Sequence, residues 1–333
     1  MRFPWLLVVA AILSSFVTGA GAEGYCPFAL PLDPAAGSLR AQGPSAMRVG
    51  PGGDIYVASP LKGAIMRFSP TGALVRTTVL SGSADPGARP TIVDFVCGPG
   101  DELSVLQVAP RGVSLLGIDL DCSGGQAPPP DPCPGSIIRV RSDGTTCCLA
   151  RIPSKRGVPR LLDRIESDGQ GNLFVHDGFD NGILRFDRSG RMFDCGVFEG
   201  FPELALDRTG GFYGALVDAP TPSAAVTVWR VDLASRERKS LAKLKLASPV
   251  TFVSILGADS KGQLYVEVAH GPNEQPTGRA VWVVTPGGAV VSQLPVPERP
   301  WEFRMSRPRA VIPAGGVLTA RVKDGRVLVE PHL

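Results

Sequence analysis

The stretch SDGQGNLFVHDGFDNGILRFDRSG, residues 167–190, decides how the whole chain is read. Its four aspartates and one histidine suggest a ligand set or a catalytic cluster. Its glycine turns and two short apolar runs, LFV and ILRF, suggest instead one copy of a β-hairpin unit. Asp177, Asp180 and Asn181 do not fall at the D-x-D-x-D-G spacing of a calcium loop. Asp and Asn on a glycine-rich connection can cap and turn the backbone with their own side chains, with no ligand required.

The repeat reading is preferred because the pattern returns. VGPGGDIYVASPLKGAIMRFSPTG, residues 49–72, has the same order of runs and turns. Tyr56 precedes Arg67 by eleven positions, as Phe174 precedes Arg185. Weaker copies are CGPGDELSVL with SIIRVRSDG, LDRTGGFYGAL with VTVWRVDL, ADSKGQLYVEV with AVWVVTPGG, and PAGGVLTARVKDGRVLVEP. Alternation of apolar and polar residues predicts half-buried strands, and no segment after residue 22 keeps a helical period. One such sheet cannot bury both of its faces, whereas a closed set of them can. The expectation is an all-β, six-bladed β-propeller with four-stranded antiparallel blades.

Residues 169–190 resemble an NHL repeat, which runs G-N-I-Y-V-A-D, then N-x-R-I-Q-V-F, then a glycine turn. Gly171, Asn172, Leu173, Phe174, Val175 and Asp177 match the first part. Asn181, Ile183, Arg185 and Phe186 match the second, and His176 replaces a small residue. Propellers of the SMP-30/gluconolactonase type carry similar repeats. The resemblance spans most of the chain and is specific for architecture rather than activity. An amidating lyase of the NHL type holds zinc on three histidines, but His176, His270 and His332 do not occupy equivalent positions here. The lactonase type uses an inner-strand Glu, Asn and Asp. Asp94, Glu166 and Glu203 could supply the acids, but no inner strand carries the Asn. No G-x-S-x-G elbow supports a serine hydrolase.

The N-terminus reads as a processing signal. Arg2, the apolar run PWLLVVAAILSSFV and the small residues AGA make residues 1–22 an export peptide, with residues 23–333 as one propeller domain. The apolar run is too short for a stable membrane span. A secreted or periplasmic location is expected, and the seven cysteines suit an oxidising compartment. Cys122 and Cys133 flank a Pro-rich loop, so a disulfide is expected to close the insertion near 107–136. Cys147 and Cys148 are neighbours and are expected to pair elsewhere or stay free. The 34 basic and 31 acidic residues leave no case for nucleic-acid binding.

The sixth unit has three strands, so residues 36–42 are expected to supply its outermost strand and close the ring. Inner strands are expected to begin near Ala46, Asp94, Arg164, Glu203, Ile255 and Pro308. If Met47 and Val49 face a blade core, then Ala46 and Arg48, Asp94 and Val96, Arg164 and Glu166, Glu203 and Ala205, and Ile255 and Gly257 face the channel. Three carboxylates near an axis could hold Ca²⁺. The arginines argue against an ion, since they can neutralise the acids as salt bridges.

The first-to-second strand turns read as tight, and the second-to-third connections as longer, most of all in blade two. The expected function is therefore a binding or scaffold module working through its long-loop face, where His176, Asp177 and His270 fall. A protein, glycan or small molecule is the expected partner, with no cofactor and a monomeric chain. The alternative is a metal-dependent lyase or lactonase at the channel mouth, with calcium or zinc on Asp94, Glu166 and Glu203.

Overall fold

The computed structural model describes residues 24–30, 44–59, 63–80, 91–108, 135–155, 160–198, 204–206, 211–219, 222–272, 277–297, 309–323 and 326–333. The first strand is β1 (Phe28–Ala29). Blade one is β2 (Ala46–Val49), β3 (Ile55–Ser59), β4 (Ala64–Phe68) and β5 (Leu74–Val79). Blade two is β6 (Thr91–Cys97), β7 (Leu103–Val108), β8 (Gly135–Val140) and β9 (Thr146–Ile152). Blade three is β10 (Leu162–Ser167), β11 (Leu173–Asp177), β12 (Gly182–Phe186) and β13 (Met192–Val197). Blade four is β14 (Leu204–Leu206), β15 (Phe212–Val217), β16 (Ala225–Val231) and β17 (Arg238–Lys245). Blade five is β18 (Val250–Ala258), β19 (Leu264–His270), β20 (Gly278–Val284) and β21 (Val290–Pro295). Blade six holds β22 (Arg309–Val311), β23 (Val317–Lys323) and β24 (Arg326–His332), with β1 as its fourth strand.

All six sheets are four-stranded and antiparallel, and the inner strands β2, β6, β10, β14, β18 and β22 follow one another around an axis. The chain is a six-bladed propeller closed by its N-terminal side. The closing strand is not residues 36–42, which lie outside the described residues. Phe28 and Ala29 take the place, paired with Val329 and Leu328. The Phe28 ring stacks 4.9 Å from that of Phe68 in blade one. A two-residue strand held by an aromatic anchor has too little alternation to be seen as a strand in sequence.

The inner strands start earlier than expected in blade two, at Thr91, and in blade five, at Val250. The core is divided by seam. Met47 packs with Ala310 and Leu318 of blade six, whereas Ala46 packs with Ile92 and Phe95 of blade two. Successive residues of an inner strand thus face the two neighbouring blades, because the edge of each sheet, not its face, points at the axis. Ile255 is buried in the seam between blades four and five, and it does not line the channel with its side chain. Second strands are covered on both faces, so all five residues of β3 and of β11 are buried. Their sequences, IYVAS and LFVHD, are near-continuous apolar runs for that reason. Outer strands such as β5 are mostly exposed.

Antiparallel order fixes two unlike ends. First-to-second and third-to-fourth turns share one end, the short-turn face. Second-to-third connections and passages between blades share the other, the long-loop face. In the opening stretch, Asp168 Oδ1 accepts the N–H of Gln170 at 2.9 Å and of Asn172 at 2.8 Å, while Gly171 takes φ +83°. Asp259 repeats this in blade five, accepting from Lys261 and Gln263 at 2.9 Å each. These aspartates build turns.

Candidate functional site in the channel

Side chains from the inner strands meet at the axis as an ionic lattice. Arg48 Nη2 donates to Asp94 Oδ2 at 2.7 Å and to Glu166 Oε1 at 3.2 Å, and its Nε donates to the Phe95 carbonyl at 3.1 Å. Arg164 Nε donates to the same Glu166 oxygen at 2.6 Å. Arg164 Nη1 then reaches the Ile255 carbonyl at 2.7 Å, and Nη2 reaches that of Leu256 at 3.4 Å. Asp94 is fully buried and also accepts the N–H of Phe95 at 2.9 Å and of Ile165 at 3.2 Å. The lattice joins blades one, two, three and five.

Local backbone irregularity aims these groups. Register shifts fall between Ile92 and Asp94 and between Leu162 and Arg164, so Asp94 and Arg164 each sit just after a bulge. A third shift, between Ile255 and Gly257, accompanies the strand segment whose Ile255 and Leu256 carbonyls receive Arg164. Burial acts to lower the pKa of the Arg48 guanidinium, but the carboxylates of Asp94 and Glu166 outweigh it and raise that pKa. Buried charges are costly unless paired and hydrogen-bonded, and here they are both.

A second buried ionic group was not visible from the inner strands. Glu267, on β19, is fully buried and pairs with Arg279, on β20, and with Arg309 Nε at 3.3 Å, on β22. It ties blade five to blade six. The signal was a glutamate in the middle of an otherwise apolar strand, LYVEVAH, beside an arginine opening the next one.

The three histidines stay apart, in blades three, five and six. His176 Nδ1 lies 2.8 Å from Asp163 Oδ1, His270 Nδ1 2.7 Å from Ser248 Oγ, and His332 Nε2 2.9 Å from Thr319 Oγ1. Asp177 forms a buried ion pair with Arg160 at 3.0 Å and accepts the Leu161 N–H at 3.0 Å. Asp180 pairs with Lys155 and accepts the Gly182 N–H at 3.0 Å. Glu203, Cys122 and Cys133 lie outside the described residues. Cys26, Cys97, Cys147, Cys148 and Cys195 are free.

A recess of about 140 Å³ opens at the axis. Val49, Cys97, Ser167, Leu206, Ala258 and Val311 line it, one from each blade, with Arg48 and Glu166 beside them. All six lie at the C-terminal ends of inner strands, so the recess opens on the short-turn face, opposite the long loops. Burial pushes the Cys97 thiol up to about 12. Among the described residues no group of three or more His, Cys, Asp or Glu side chains could hold a metal ion. Asp94 and Glu166 are arranged as acceptors for guanidinium groups and do not fit an open ligand set. No helix among the described residues is long and apolar enough to cross a membrane.

No family model matches this sequence, and no curated protein is detectably similar to it. Several solved structures share its general outline. A virginiamycin B lyase from Staphylococcus aureus matches at 12% identity and TM-score 0.49, over 92% of this chain and 88% of that one. An aldose sugar dehydrogenase from Streptomyces coelicolor, with bound PQQ, matches at 15% and 0.48, over 92% and 98%. Regucalcin from Agrobacterium tumefaciens, a calcium-binding protein, matches at 11% and 0.46, over 87% and 90%. At these values the likenesses say nothing of activity.

Proposed function

We propose that this chain is an exported propeller that acts as a binding module, holding a protein, glycan or small-molecule partner through its long-loop face. The observation that supports this reading is the unequal length of the connections at the two ends. On the short-turn face, turn after turn is closed by a short backbone hydrogen bond, such as Gly53 N–H to Gly50 O at 3.0 Å and Gly190 N–H to Asp187 O at 2.9 Å. On the long-loop face, β7 stops at Val108 and β8 resumes only at Gly135. Loops on a rigid scaffold are where recognition concentrates. The engagement of Asp94 and Glu166 by arginines favours binding over a metal-dependent lyase or lactonase at the axis.

The test replaces residues 109–134 with a two-residue Asn-Gly turn and compares recovery of partners with the full chain. Loss of the recovered set is expected. Recovery of the same set at the same yield would remove that loop from the reading.

A further inference from the structure

Five blades each seat the third-to-fourth strand turn on the outer strand of the blade before. Gly72 lies against Phe28, so a Cβ there would come within 2.4 Å of that side chain. Gly144 lies against Arg76 of β5, Gly190 against the Leu149 carbonyl of β9, and Gly288 against the Leu241 carbonyl of β17. In blade four the turn residue Arg236, at φ +61°, donates to the Cys195 carbonyl of β13 at 3.2 Å. Five outer strands are covered in this way.

The sixth is β21 of blade five. Its cover would be a turn joining β24 to the fourth strand of blade six. That fourth strand is β1, which comes from the far end of the chain, so no such hairpin turn exists. At this place lies a cleft of about 310 Å³, lined by Tyr265, Val283, Val291, Leu294, Gly316 and Leu333 among others. Val290, Val291 and Leu333 are three of the few large apolar side chains exposed among the described residues, at 42%, 53% and 57%.

We propose that this cleft is a docking site for a β-turn of a partner polypeptide, with glycine at its tip and an apolar residue beside it. The five equivalent seams show what fits against such an outer strand: a tight turn, most often a glycine whose backbone approaches too closely for a Cβ. The surroundings are apolar, so they favour an uncharged turn. The floor is rigid, because the Tyr265 hydroxyl accepts the Gly316 N–H at 3.0 Å and donates to Asp259 Oδ2 at 3.3 Å. This site is on the rim of the ring and is independent of the long-loop face.

The experiment titrates the full chain, labelled for NMR, with a disulfide-cyclised hairpin carrying VVTPGGAVV, residues 283–291. Saturable shifts at the amides of Ser292, Gly315 and Gly316 are expected. Val291→Lys and Leu333→Lys, both at exposed positions, are each expected to weaken binding about tenfold or more, and Val75→Lys on the outer strand of blade one to leave it unchanged. The proposal is overturned if those amides do not shift saturably, or if both cleft variants bind as the parent does. It is equally overturned if the apolar dye ANS saturates the cleft while the hairpin does not, which would assign it to small molecules. Dimerisation in sedimentation that Val291→Lys abolishes would make the occupant a second copy and overturn it too.

Discussion

Arg164, on the inner strand of blade three, donates a 2.7 Å hydrogen bond to the carbonyl oxygen of Ile255, on the inner strand of blade five. The bond passes over blade four. Only 2% of the Arg164 side chain is exposed, and its Nε also holds Glu166. One guanidinium therefore links strands that share no sheet and no seam.

Replacing Arg164 with Met keeps an unbranched apolar stem and removes every donor. Glu166 would then lose one guanidinium, and the carbonyls of Ile255 and Leu256 would lose this donor. Loss of a buried partner costs about 3–5 kcal/mol. Guanidinium unfolding should show a lower midpoint at a similar slope. A loss under about 1 kcal/mol would mean that the lattice holds nothing together.

Ring closure rests on Phe28. Its ring packs on Phe68, the Gly72 turn lies against it, and Leu30 N–H continues the contact to the Val327 carbonyl at 2.8 Å. Phe28→Ala should destabilise by about 2–4 kcal/mol, less than a fully enclosed phenylalanine because the ring is half-buried. Thermal unfolding reads this directly. A melting temperature equal to that of the parent would show that the N-terminal strand is not the latch.

His332 sets a pH dependence. Burial lowers its pKa below 6.5, and Arg309 and Arg321 lower it further against the opposing Glu330. The unfolded chain then binds the proton more readily than the folded one. This contribution to stability is complete above pH 6.5 and is lost as pH falls through the lowered folded value. His332→Gln should flatten that part of the stability curve while keeping a partner for Thr319. A curve of unchanged shape would contradict the assignment.

Thiol chemistry should separate the cysteines. Cys147 and Cys148 are exposed on the outer strand β9, whereas Cys97 sits at the channel wall with its thiol raised to about 12 by burial. Thiolate is the reactive form. Alkylation at pH 8 followed by peptide mapping should modify Cys147 and Cys148 in the folded protein and Cys97 only after unfolding. Early labelling of Cys97 would count against the raised thiol.

The architecture was legible because glycine turns and paired strands recur at fixed spacing, as in the Tyr56–Arg67 and Phe174–Arg185 pairs. The closing strand was not, because two residues carry no period and the anchor is one ring. At the axis, Arg48, Asp94, Arg164 and Glu166 were named from alternation alone. That the arginines can neutralise the acids was legible as well; which partners meet across blades was not, since it depends on bulges at Asp94 and Arg164 that sequence does not announce. Ile255 faces a neighbouring blade and not the channel, because alternation along an inner strand separates one neighbouring blade from the other and not axis from core. Glu267 is not legible as a site residue because it sits on a second strand, away from the axis, and its partners Arg279 and Arg309 come from two different blades.

The seal between Phe28 and Val329 also sets an order of assembly. A ribosome makes Phe28 long before it makes Val329. The first strand must therefore wait, unpartnered, while five sheets form, and the circle can lock only after the last of its pieces has been delivered.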